Sequence, residues 1–293
     1  MPRDTRAKLQ AGTRRKFPFA KTITGTPAAG SFTHLFQFNG YPATGAYGSF
    51  AAAALARQQV VGGTSPSIAG GYQTVTNPTS PNKNYLTKSH LRNLGSSGQG
   101  TLYLLDWLVC YRGIDGNSAL AQNMTSSAAG TEQRPRTYSD RSIMFADVST
   151  VLGAAGANLT VTYTSTKSGY PSARSTGAQA FTASSPAGRL PHSYLFLPLQ
   201  ADDPGVASIQ TAQLSVGMGA GGVFSLNIAN ILAEITIETS LVGKTENYAD
   251  DTDGLIEIPT DAALTWIWCP TSAVATQPLI GSNNLTEADL AAA

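Results

Sequence analysis

Charge is scarce in this chain. Only 13% of its residues are Asp, Glu, Lys or Arg, and they nearly cancel to +1. Long solvent-facing helices draw on Glu, Lys and Arg, so a helical bundle is disfavoured. The small net charge does not suit a protein that gathers nucleic acid by overall field. Two cysteines, Cys110 and Cys269, are too few for a disulfide framework. No apolar run reaches the length of a membrane-spanning helix. The basic N-terminus leads into FPFAKTITGTPAAG, which has no uninterrupted apolar stretch of the kind a signal peptide needs. The expectation is synthesis and folding in the cytoplasm, which gives the sequons at Asn123, Asn158 and Asn284 no weight.

Signatures of chemistry are equally sparse. There is no GxSxG, CxxC or P-loop, and His34, His90 and His192 have no metal-ligand spacing. Each histidine reads as a polar surface or capping residue. The stretch from Gly217 to Gly222 satisfies GxGxxG, but residues 223–229 alternate with period two. A dinucleotide fingerprint needs a helix there, so this is a glycine hairpin between strands. Asp251, Asp253 and Gly254 resemble part of a calcium loop, yet the first and last ligand positions fall on Ala249 and Thr260. A solvated acidic loop fits better. Asp106 is the acidic residue inside a strong apolar strand. It reads as a buried carboxylate paired with Arg112, Arg141 or a backbone N–H rather than as a catalytic group. No cofactor, no metal and no catalytic residue is expected.

What is present is β pattern. Residues 101–113 (TLYLLDWLVCYRG) form the densest apolar run, with apolar residues on both faces of an extended chain. That predicts a central strand, with residues 264–269 (LTWIWC) as its near neighbour in one sheet. Trp107, Trp266 and Trp268 then belong to the core rather than to a sugar-stacking platform. Cys110 and Cys269 read as small buried hydrophobes, adjacent if the strands pair. A bond between them stays open, though a reducing compartment favours at least one free thiol. Further strands are predicted at 142–148, 158–165, 179–183, 193–199, 208–216, 223–229, 232–241 and 255–258. The fold class is therefore mainly β, a β-sandwich or jelly roll of about ten short strands.

The first 76 residues read differently. Arg3, Arg6, Lys8, Arg14, Arg15 and Lys16 face only Asp4, and residues 5–11 suit one or two helical turns. This is either an arm that orders against a partner or a disordered tail. Residues 17–81 have little periodicity apart from an apolar cluster at 32–38 and a helix candidate at 50–56. They suit a segment lying on another surface, or an elaborate loop on its own domain. The expected organisation is an extended basic, Gly/Ala-rich arm over 1–76 and a β-sandwich over 77–293. Arg3, Arg6, Lys8, Arg14, Arg15, Lys16, Phe17 and Phe19 are the candidate partner-binding residues. Deleting 2–40 should leave the β domain folded. Acidic residues Glu246, Asp250, Asp251, Asp253, Glu257 and Asp261 cluster near the other end, and on a neighbouring copy they are a plausible mate for the arm.

Several phrases resemble a family of tailed-bacteriophage virion proteins described as structural, minor capsid or tail proteins. They are Asn82-Lys83-Asn84-Tyr85-Leu86, the run from Gly98 to Leu108, the run from Leu159 to Ser165, Gly188-Arg189-Leu190, and the run from Leu197 to Ser215 with its Asp203-Pro204-Gly205-Val206. The resemblance spans about residue 77 to the C-terminus and rests on strand phrases. It implies a non-enzymatic virion component assembled in the host cytoplasm. Among sites on the particle, a capsid decoration or cement protein on the head is favoured. Its partners would be the major capsid protein, other virion proteins and copies of itself in a homo-oligomer. No membrane partner is expected and nucleic acid is not favoured. A neck or tail component is the alternative within this class. A carbohydrate-binding β-sandwich for host recognition is the alternative from another class, and an enzyme ranks third.

Overall fold

The computed structural model describes residues 3–47, 58–60, 70–95, 98–124, 142–167, 173–219, 221–238, 241–250, 255–273 and 276–290. The chain is mainly β. Helix α1 (Arg3–Ala11) opens it. Eighteen strands follow among the described residues: β1 (Thr13–Ile23), β2 (Thr33–His34), β3 (Asn39–Tyr41), β4 (Gln58–Val60), β5 (Gln73–Thr74), β6 (Lys83–Asn93), β7 (Gly100–Asp115), β8 (Gln122–Asn123), β9 (Ser142–Thr150), β10 (Ala157–Ser165), β11 (Arg174–Ser175), β12 (Gln179–Phe181), β13 (Val206–Leu214), β14 (Val223–Ile237), β15 (Lys244–Asn247), β16 (Ile256–Ile258), β17 (Ala263–Pro270) and β18 (Gln277–Ala288).

They form three antiparallel sheets. A seven-stranded sheet has the order β2-β17-β7-β14-β9, with β4 also on β7 and β5 also on β17. A six-stranded sheet has the order β15-β6-β18-β1-β3, with β16 also on β6. A five-stranded sheet has the order β11-β10-β13-β8, with β12 also on β10. The expected pairing of the two tryptophan-bearing runs is present: β17 runs antiparallel to β7, with Trp266 opposite Leu104 and Trp268 opposite Leu102.

The long strands β7 and β14 organise the core because each serves two packing layers. Leu102 and Leu104, early in β7, pack with Phe19, Ile23, Leu86, Leu91, Leu279 and Leu285 of the six-stranded sheet. Val109 and Tyr111, later in β7, pack with Leu159, Val161, Ile209 and Leu214 of the five-stranded sheet. The change from even to odd positions has a local cause. The register slips where Ile228 faces Val109 and Ala229 faces Trp107, so Leu108 is an extra residue in the ladder. Such a bulge shifts the alternation by one. Trp107, Trp266 and Trp268 are all fully buried, as their apolar surroundings required.

The opposite face of the seven-stranded sheet is covered by its own connections. Residues 188–190 link its two edge strands. His34 N–H donates to Gly188 C=O, and Leu190 N–H donates to Phe32 C=O, on the β2 side. Val148 N–H donates to Arg189 C=O, and Gly188 N–H donates to Val148 C=O, on the β9 side. The expected strand at 193–199 is instead an irregular strip along β9, with Leu197 N–H donating to Met144 C=O. It keeps a period-two pattern, Leu195 and Leu197 buried and Tyr194 and Phe196 exposed, which is why it reads as a strand. It caps a sheet edge that would otherwise present unpaired backbone groups.

The largest correction concerns the N-terminus. Residues 13–23 are an interior strand of the six-stranded sheet, between β18 and β3. Eleven residues of β1 face eleven of β18, from Thr13 opposite Glu287 to Ile23 opposite Gln277. The boundary expected at residue 76 cuts across two sheets, since β1, β2, β4 and β5 all pair with strands beyond it. Of the charges that make the segment look like an arm, Arg14 and Lys16 are on the outward side of this alternation. Phe19, Lys21 and Ile23 are buried, whereas Arg14, Lys16, Pro18 and Ala20 are exposed. Even Lys21 is accommodated, its Nζ donating to Phe38 C=O at 2.9 Å. The helix candidate at 50–56 and the acidic loop at 251–254 lie outside the described residues.

Two smaller expectations also change. The described residues among 217–222 are indeed a loop before a strand, but the strands it joins, β13 and β14, lie in different sheets. It is a packed crossover rather than a hairpin, with Met218 fully buried. Cys110 and Cys269 are both free and are not neighbours. Cys269 sits opposite Thr101 and Cys110 opposite Asn227, about 30 Å apart along β7 at 3.3 Å per residue. Cys110 is buried, as expected, while Cys269 is only half-buried.

Candidate partner interface

The eight expected partner-binding residues fall into three groups. Phe19 belongs to the core: it is 3% exposed, and its ring centroid lies 4.8 Å from that of Trp266. Phe17 is half-buried against the same cluster. Alternation along β1 turns both toward the seven-stranded sheet, and burial closes the Phe19 ring to a partner. Arg15 shares that inward side and pairs with Glu287 at 2.8 Å. Glu287 also accepts from Asn82 and Thr79 N–H, and these hydrogen bonds, with the Arg15 charge, lower its pKa. Lys8 is half-buried on α1, and its Nζ is shielded from solvent without a hydrogen-bond partner. Arg3 lies at the start of α1.

Arg6, Arg14 and Lys16 remain outward and converge. They line a groove of about 390 Å³ between α1 and the outer face of the six-stranded sheet. Helix α1 is held over that face by Leu9, which is buried against Tyr85 and Ala288. Strand register builds the floor. Lys16 faces Asn284, Asn284 faces Lys88, and Lys88 faces Asn247, so one row crosses β1, β18, β6 and β15. Adjacent strands lie about 4.8 Å apart, which puts the Lys16 and Lys88 backbones about 10 Å apart. Arg14 lies opposite Thr286 in the next row, and Arg15, Leu9, Gln10, Thr87 and Ala249 also line the groove. Lys88 is the residue that sequence reasoning missed. Its partnership with Lys16 depends on β18, whose polar sequence QPLIGSNNLTEA carries little strand signal.

The groove is basic and amide-lined and holds no aromatic side chain. It therefore suits carboxylates of an extended polypeptide better than stacked bases. The acidic residues proposed as its mate are partly committed within the chain. Glu257 pairs with Lys83 at 2.9 Å, Glu246 with Lys244 at 3.3 Å, and Asp261 with Asn77.

A second constellation lies behind the seven-stranded sheet. His34 Nδ1 is 2.9 Å from Asp147 Oδ2, and its Nε2 is 2.9 Å from Thr265 Oγ1. A carboxylate can only accept, so Nδ1 carries the hydrogen, while Nε2 shares a hydrogen bond with the Thr265 hydroxyl. Tyr47 also donates to Asp147 Oδ2, and Gln37 donates to Val148 C=O at 2.8 Å. Burial, and then the Asp147 charge, push the Tyr47 pKa up. Hydroxyl, imidazole and carboxylate stand in the order used by acyl-transfer enzymes. Yet His34, Asp147 and Thr265 are each 0% exposed, beneath Phe36, Trp107 and Phe145. Such a group orients the segment 33–47 against β9.

The surface reading of His34 fails because a two-residue strand carries it beneath the sheet. His192 is likewise buried, its Nε2 accepting from Ala146 N–H at 3.0 Å. His90, on the outer face of β6, is only half-buried. Asp106 has one of its expected partners, accepting from the backbone N–H of Ala263 at 3.0 Å.

Against known proteins, no family model matches this chain, and no curated protein matches it. Among solved structures, the infectious bursal disease virus VP2 subviral particle is similar at 10% identity and a TM-score of 0.21. That alignment covers 98% of this chain and 83% of the other. A likeness of that size assigns neither fold nor function.

Proposed function

We propose that this chain is a non-enzymatic structural component of a bacteriophage virion. Its favoured role is a decoration or cement protein on the outside of the head. The observation that carries the reading is the set of strand phrases resembling tailed-phage virion proteins. They occupy β6, β7, β10 and β13, together with residues 188–190, which bridge the edges of the central sheet. Two features support it. The hydroxyl–imidazole–carboxylate group is sealed in the core. The outward basic charges of the N-terminal segment gather with Lys88 on one sheet face, where an acidic segment of a neighbouring subunit would fit.

The test is co-sedimentation with particles that lack the protein. Lys16→Glu with Lys88→Glu alters two exposed side chains and should leave folding unchanged. Reversing both charges should weaken attachment by at least about tenfold and reduce its salt dependence. Unchanged attachment by the folded variant would remove the groove from the contact.

A further inference from the structure

A different cavity, which shares no lining residue with the groove, holds an arginine that pairs with no carboxylate among the described residues. It measures about 370 Å³ and lies between residues 26–31 and 182–193. Arg189 lines it and is 6% exposed. The guanidinium donates from Nη1 to Thr33 Oγ1 and from Nη2 to Thr24 C=O at 3.2 Å, and it lies over the Phe38 ring at 5.5 Å. Both acceptors are neutral. No carboxylate lies among the residues that line the cavity. Taking a cation out of water without an opposing charge is costly, and here burial alone lowers the Arg189 pKa to about 10. The remaining walls are rich in hydroxyls, from Thr26, Ser31, Thr182, Ser184, Ser185 and Ser193. His192 adds no charge: both ring nitrogens are used, Nδ1 on Tyr194 C=O and Nε2 on Ala146 N–H, and burial lowers its pKa to about 4.

We propose that this cavity is a binding site for a single carboxylate group. Two of the five guanidinium N–H groups are committed, which leaves three for a planar, two-oxygen acceptor. A carboxylate brings one negative charge for one buried positive charge, whereas a phosphate dianion would leave an excess of negative charge beside that one cation. Ser31 and Ser185 already donate to Ala28 and Thr182 C=O, so further donors come from the hydroxyls of Thr26, Thr182, Ser184 and Ser193. The carboxylate comes from an acidic sugar or from an Asp or Glu side chain of a neighbouring polypeptide. The site stands independently of the virion reading.

The test is thermal unfolding of the full chain at fixed ionic strength. Chloride is replaced by acetate, glucuronate, N-acetylaspartate amide or sulfate. The carboxylates should raise Tm saturably, by about 4 °C at a hundredfold excess over Kd, while sulfate and chloride should not. Greater protection by glucuronate assigns an acidic sugar, and equal or greater protection by N-acetylaspartate amide assigns a protein side chain. Arg189→Gln should abolish the response. Because that change removes two internal hydrogen bonds, Thr26→Glu provides a second arm. It places a carboxylate at the exposed rim, so it should raise Tm in chloride and abolish the carboxylate response. Protection by sulfate alone, no anion-specific protection, or a Thr26→Glu chain that is destabilised and still responds would each overturn the proposal.

Discussion

Replacing Phe19 by Ala separates an integrated N-terminal strand from a detachable arm. The ring is 3% exposed, lies 4.8 Å from Trp266, and rests on Gly281, where a Cβ would come within 2.6 Å of it. It therefore fills the space between two sheets, and backbone on its other side leaves little room to collapse. Phe→Ala at such sites costs about 3–5 kcal/mol. At about 2.1 cal/mol/K per residue, a chain of 293 residues has an unfolding entropy of about 0.6 kcal/mol/K, so Tm should fall by about 5–8 °C. Scanning calorimetry with urea unfolding would read both quantities. Lys16→Ala, on the outward side of the same strand, should change stability by less than about 0.5 kcal/mol. A Phe19→Ala chain as stable as its parent would refute the placement of β1 in the sheet. By the same reasoning, removing residues 2–40 should unfold or aggregate the protein, because it strips the partner from eleven residues of β18.

The buried polar group gives a second prediction. His34→Leu leaves Asp147 without its imidazole partner in a fully buried site and should cost about 3–5 kcal/mol in urea unfolding, with Thr265→Val costing less. His192 gives a third, on pH. Its folded pKa of about 4 lies below the unfolded value of about 6.5, so the unfolded chain binds the proton more tightly. Its contribution is therefore complete above pH 6.5 and is lost as pH falls from 6.5 toward 4, on the order of 3 kcal/mol in all. Tm measured across that window should fall less steeply in His192→Gln than in the parent chain.

Strands with apolar pattern were legible in the sequence, and strands defined by their partners were not. β7 and β17 stand out because both their faces are buried, and β10 because Leu159, Val161 and Tyr163 alternate with threonines. β1 and β18 do not stand out. Their inward positions include Arg15, Lys21, Asn283 and Glu287, each making a contact formed only in the folded sheet. Residues 223–229 and 232–241 read as two strands because the slip between Ile231 and Ala233 breaks the alternation, yet 223–229 and 232–237 belong to one strand, β14. The outward charges Arg6, Arg14 and Lys16 were visible as a cluster, but their convergence on Lys88 requires the register of three strands. His34 and Asp147 are 113 residues apart, and no local pattern announces their pairing.

The most direct test of the proposed role is the copy number of this chain in purified particles, measured by quantitative mass spectrometry against the major capsid protein. A decoration or cement role predicts a number comparable to that of the capsid protein. Tens of copies or fewer would move the chain to the neck or tail, and its absence from particles would contradict a virion role altogether.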